Sequence, residues 1–156
     1  MITLRTIKAT IIAVLKTKYP DYKVHFDNVE KSDAPYFYVE MRPTANTWDR
    51  IISERIIQID IQFIPLLDKY GRADRNILYD MADSMEVMFR PVFRIEDRYI
   101  TVLEAETTFF DEILHYIFNL DFADAFTSEE IGGIQYELMQ QLGLELNGQE
   151  LNEEEL

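Results

Sequence analysis

A chain of 156 residues has room for one domain, or for one domain and a tail. Apolar residues make up 47% of it, which excludes a wholly disordered chain. Its formal net charge of -14 excludes a general phosphate-binding surface, because phosphates are repelled on approach. There is no cysteine, hence no disulfide framework, thiolate zinc site or cysteine nucleophile. No segment reaches the roughly 18 uninterrupted apolar residues of a membrane span. The apolar residues between Met1 and Lys18 are interrupted by Arg5, Lys8, Thr10 and Lys16, so neither a secretory signal nor membrane association is expected. The chain reads as soluble and made in a cytoplasm.

The opening segment predicts a helix. Leu4, Ile7, Ile11, Val14 and Leu15 fall on one face, Thr3 suits the N-cap, Lys16 and Lys18 suit the negative C-terminal end, and Pro20 closes it. Tyr22, Val24 and Phe26 alternate with polar residues as in a strand. A second strand is expected over 36–41, with Pro43 to Asp49 breaking it. From Ile51 to Ile64 a long strand places Ile57, Ile59, Ile61 and Phe63 on a buried face and Ile56, Gln58, Asp60 and Gln62 on a wetter one. Residues 36–64 thus read as a long antiparallel hairpin with its tip at 42–50.

Pro65 ends that strand, and a second helix follows from about Ala73 to Phe89. Ile77, Met81, Met85 and Met88 form its expected buried stripe, and Pro91 stops it. The stripe could also be a soft groove for a partner. Val92 to Ile95, a turn at 96–98, and Tyr99 to Phe109 predict a further hairpin. A last strand alternates Leu114, Tyr116, Phe118, Leu120 and Phe122 with His115, Ile117, Asn119, Asp121 and Ala123. The order is α-β-β-β-α-β-β-β. Amphipathic helices need a sheet face to cover, so the expected class is α+β, a mainly antiparallel sheet packed with two helices.

Composition shifts near Phe126. Residues 1–126 carry all 15 basic residues and 21 of the acids, whereas residues 127–156 carry eight Glu, no Lys or Arg, and four of the five glycines. The expected organisation is an α+β domain over 1–126 and an acidic appendage over 127–156. The appendage is expected to be a short helix on Ile134, Leu138, Met139 and Leu142, then disorder from Asn147.

Chemistry-bearing residues do not converge in the sequence. His25 and His115 are single strand residues without a placed partner. Glu104 and Glu106 would share one face of a strand, about 7 Å apart, as a solvated pair. The enzymatic alternative is acid–base or cation-dependent chemistry on Glu104, Glu106 and His115. Ser53, Ser84 and Ser128 lack the setting of a nucleophile, and no Gly-rich phosphate loop or HExxH occurs. No catalytic, cofactor-binding or metal-ligating residue is therefore assigned. Two features point to interaction instead. The tip carries the only Trp of the chain, Trp48, between Arg42 and Arg50. Trp and Arg are enriched in interface hot spots, which makes these three residues the candidate interface. The alternative is that Trp48 folds back on the domain. The second feature is a many-stranded sheet whose edges need covering or pairing, which ring assembly achieves.

The stretches MITLRTIKATIIAVLKTKYP, APYFYVEMRP, ERIIQIDIQFIP, YDMADSMEVMFRP and LHYIFNLDFAD, in that order across 1–126, resemble the tail terminator (tail completion) proteins of tailed bacteriophages and prophages. The resemblance implies a compact α+β subunit that assembles with itself into a ring, expected to be a hexamer. The ring would cap the head-proximal end of the tail tube, stop tube growth, and offer a surface to the head-completion or neck protein. It implies a structural function without a cofactor, DNA passing through without specific binding, and a place in the virion tail after assembly in the bacterial host cytoplasm. Another head–tail joining or neck adaptor is the alternative within the same setting.

Overall fold

The computed structural model describes residues 1–27 and 32–126. The expected appendage at 127–156 lies outside them. Helix α1 spans Leu4–Lys18, and Thr3 caps it by accepting the Thr6 N–H at 3.2 Å. Ile7, Ile11 and Leu15 are fully buried on one face, as their spacing requires. Strands β1 (Lys23–His25), β2 (Tyr36–Thr47) and β3 (Ile52–Ile64) follow, then helix α2 (Arg75–Phe89). The chain continues with β4 (Val92–Ile95), β5 (Arg98–Thr101), β6 (Ala105–Phe110) and β7 (Ile113–Ala125). Five strands form one sheet in the order β1-β2-β3-β7-β6, and β4 and β5 form a separate antiparallel hairpin. The class is α+β, with two helices and a mainly antiparallel sheet. The edge strand β1 is the exception, pairing parallel to β2 from Lys23↔Tyr36 to His25↔Tyr38.

Residue contacts divide the chain into two units. The larger comprises residues 2–45 and 55–122. Its core takes one face of β2, β3 and β7 (Phe37 and Val39; Ile57, Ile59, Ile61 and Phe63; Leu114 to Phe122 at every second residue). Against these pack α1, α2, Phe93, Ile95 and Ile100 of the β4–β5 hairpin, and Val102 just after it. Aromatic pairs fill the middle: Phe37–Phe63 and Phe89–Phe118 each have centroids 5.4 Å apart. The two helices are also joined by a polar contact, Tyr19 donating to Ser84 Oγ at 2.7 Å, which accounts for the burial of that serine inside α2. The alternate residues of β3, Ile56, Gln58, Asp60 and Gln62, are half-buried, as the period of two dictates.

Three expectations change. The strand does not break at Pro43: β2 runs on to Thr47. A proline is compatible with a strand where its missing N–H owes no ladder bond, and β1 flanks β2 only from Tyr36 to Tyr38, leaving that side of Pro43 without a paired strand among the described residues. The segment Tyr99 to Phe109 is two strands, because β5 pairs with β4 whereas β6 pairs with β7. Between them the Val102 N–H bonds to the Pro91 carbonyl at 2.8 Å. This adds one strand to the expected order and places Glu104 in the connection, not beside Glu106 on a strand.

The third change is the stripe of α2. Leu78, Met81, Met85 and Phe89 face the core, Met88 packs partly against it, and Ile77 is 51% exposed. Both sets satisfy helical spacing, and the direction from which the sheet packs selects the first. Leu78→Ala should therefore lower the unfolding free energy by about 2–5 kcal/mol, and Ile77→Ala by no more than about 0.5 kcal/mol, in urea titrations of the two variants.

Candidate assembly interface

Among the described residues, the smaller unit contains Met1, residues 46–54 and residues 123–126. It carries the turn between β2 and β3. The Trp48 and Asp49 N–H groups both bond to the Ile52 carbonyl, at 3.1 and 3.3 Å. Asp49 Oδ1 in turn accepts the Ile51 and Ile52 N–H groups at 2.7 Å each. Below the turn, Ser53 donates to the Asn46 carbonyl, and Asn46 Nδ2 donates to Glu54. The Phe126 N–H bonds to the Ile51 carbonyl at 2.8 Å. The turn is thus fixed by its own hydrogen bonds, and Trp48 is left 61% exposed, with Arg50 and Ile51 exposed beside it in sequence. Arg42 belongs to the larger unit; it is exposed, and Nη2 pairs with Glu40 at 3.1 Å.

The two N–H donors hold the Asp49 carboxyl below the usual carboxylate range. A lowered pKa in the folded chain favours the ionised form, so the ordered turn gains from Asp49 above the ordinary carboxylate value of about 3.9 and loses that gain as pH falls through the lowered one. Asp49→Ala should reduce amide-exchange protection of Ile51 and Ile52 at neutral pH. The parent chain should lose the same protection only on acidification below that ordinary value, with protection elsewhere kept.

The residues considered for chemistry are dispersed. His115 Nδ1 lies 3.2 Å from Asp60 Oδ2, so its partner is a carboxylate on the neighbouring strand and not one of the glutamates. His25 Nε2 lies 3.1 Å from Ser32 Oγ, with its ring edge against Tyr36. Glu104 and Glu106 are both exposed and line a recess of about 180 Å³ together with Gln58 and Asn119. No metal-holding group of three or more His, Asp or Glu occurs among the described residues. Nor is any helix among them long and apolar enough to cross a membrane.

Sequence reasoning missed a second exposed apolar group. Leu66, Leu67 and Tyr70 are 68%, 52% and 73% exposed in the β3–α2 connection, and Phe110 is 69% exposed at the end of β6. The periodicity of strands and helices carries no signal for such residues, because they lie where both periods stop.

The larger unit is thus a sheet domain with apolar side chains exposed on the β3–α2 connection, and the smaller unit holds Trp48 outward on a fixed turn. A family model described as phage tail terminator protein matches residues 6–132. The chain belongs to that family. No curated protein matches it. As a phage tail terminator, it is a structural component of the virion tail, used in virion assembly, where it meets other tail or head proteins.

Proposed function

We propose that this tail terminator closes the head-proximal end of a phage tail tube as a ring of identical copies, expected to be six. The ring stops tube growth and presents its outer rim to a head-completion or neck protein. The family match over 6–132 carries this reading. The function is one of shape and association: the chain turns over no substrate and needs no cofactor. Residues 1–126 are the assembling domain, and 127–156 an added acidic segment. Arg42, Trp48 and Arg50 supply contacts between subunits or with the tube, since an exposed Trp on an ordered turn has the form of an interface anchor.

Charge supports the same reading. Six copies at -14 each come to -84, and a ring of that sign repels phosphates, so DNA passes without sticking. Native mass measurement of the purified protein tests the assembly. One copy weighs 18.5 kDa, so a six-membered ring gives six times that mass. A mass of one copy at every concentration, with tube protein present as well as without it, overturns the proposal.

A further inference from the structure

The five-stranded sheet ends on two unequal edges. At one of them β1 offers a short strand, Lys23–His25, and beyond it the open side of β2 carries Pro43. A short strand, a lysine and a proline are devices that keep an edge from pairing further. At the other edge β6 reads Ala-Glu-Thr-Thr-Phe-Phe, with neither lysine nor proline, and it pairs with β7 from Ala105 to Phe110 without a bulge. No described strand flanks its outer side.

The hairpin fixes which backbone groups that side holds. Asp111 and Glu112, both at positive φ, form a two-residue turn that makes Phe110 and Ile113 a hydrogen-bonded pair. Opposed residues of an antiparallel ladder alternate between bonded and non-bonded pairs. Glu106, Thr108 and Phe110 therefore bond to β7, whereas Ala105, Thr107 and Phe109 turn their N–H and C=O groups outward. Such a row is a template for another strand.

The strand that fits is β6 itself. Two copies are set antiparallel about a two-fold axis through Thr107. Ala105 of each then meets Phe109 of the other, small against large, and Thr107 meets Thr107. Glu106 meets Thr108, whose hydroxyl donates to the carboxylate. Every outward N–H and C=O finds a partner. The two adjacent registers fit worse. An axis through Glu106 sets like charges directly opposite, and one through Thr108 leaves Ala105 facing the turn at Asp111. Exposure points the same way. Phe110 is 69% exposed just before the turn, and Leu103, 81% exposed, lies just beyond the other end of β6. An antiparallel pair brings opposite ends together, so each Phe110 comes to the 103–104 stretch of the other copy.

We infer that the free protein pairs through β6 of two copies, which joins their two sheets edge to edge. The contact uses one surface twice, whereas a ring joins two different surfaces head to tail. It is separate from the joints of the ring and does not rest on the ring reading.

The test uses the full chain without tube protein. Sedimentation over a concentration series is expected to show the mass rising from one copy of 18.5 kDa to two. Thr107→Pro removes an N–H that β7 does not use, and is expected to hold the protein at one copy with an unchanged circular dichroism spectrum. Thr107→Cys keeps the N–H, and the chain has no other thiol. The Cα atoms of a hydrogen-bonded pair lie about 5.5 Å apart, within reach of a disulfide. Under mild oxidation Thr107→Cys is expected to form linked dimers at least about tenfold faster than Tyr99→Cys, a position 67% exposed on β5. A mass of one copy at every concentration overturns the inference, and so does Thr107→Cys linking no faster than Tyr99→Cys. A larger assembly that Thr107→Pro leaves unchanged and Thr107→Cys does not link overturns it too, and leaves the ring reading standing.

Discussion

Phe89→Ala is expected to lower the stability of the domain by about 3–5 kcal/mol. Phe89 is fully buried in the last turn of α2, and its ring lies 5.4 Å from Phe118, 6.0 Å from Phe93 and 6.3 Å from Tyr116. It is therefore where α2, the β4–β5 hairpin and β7 meet. Removing the ring loses its transfer free energy and leaves a cavity lined by three aromatic rings that cannot all close in. Domains of this size are stable by only about 5–15 kcal/mol, so the variant gives up a large share of its stability. Urea unfolding followed by circular dichroism reads the change. Phe89→Leu keeps most of the volume and should cost much less. Equal and small losses in both would mean that the junction of the three elements does not hold the core.

Trp48→Ala should do the reverse, leaving the monomer intact and weakening the assembly. Truncating a side chain already 61% exposed should shift monomer stability by no more than about 0.5 kcal/mol. A hot-spot Trp contributes about 2 kcal/mol or more to a contact, a loss of about thirtyfold in affinity, and a ring repeats that loss at each of its joints. The midpoint concentration for ring formation, read by light scattering, should rise accordingly while the melting temperature at high dilution stays put. Arg50→Ala should act in the same direction. Arg42→Ala should act less, because Arg42 is already engaged with Glu40. An unchanged midpoint for Trp48→Ala would retire it as an anchor.

Much of the fold is legible in local pattern. The stripe of α1, the period of two along β3 and β7, and the stops at Pro20, Pro65 and Pro91 all follow from side-chain spacing and from the missing proline N–H. What escapes is set by pairing between distant segments. Pro43 looks like a strand breaker until β1 is seen to flank only the first three residues of β2. Tyr99 to Phe109 alternates like one strand, yet its halves serve different sheets. Ile77 and Leu78 are equally apolar, and only the direction from which the sheet approaches decides which is buried. The same holds for the surface. Trp48 stands out in the sequence as the single Trp between two Arg, whereas Leu66, Leu67 and Tyr70 lie in a connection that follows neither period, and the Ala73 N–H that closes it is held by Glu112, 39 residues away.

Electron microscopy of tail tubes grown from tube protein with and without this chain tests the ring most directly. Added protein is expected to yield tubes of limited length, each bearing one annulus at a single end, and Trp48→Ala to abolish the annuli. Tubes that grow without limit and carry no annulus, in the presence of a well-folded excess of the protein, would contradict a ring-forming terminator.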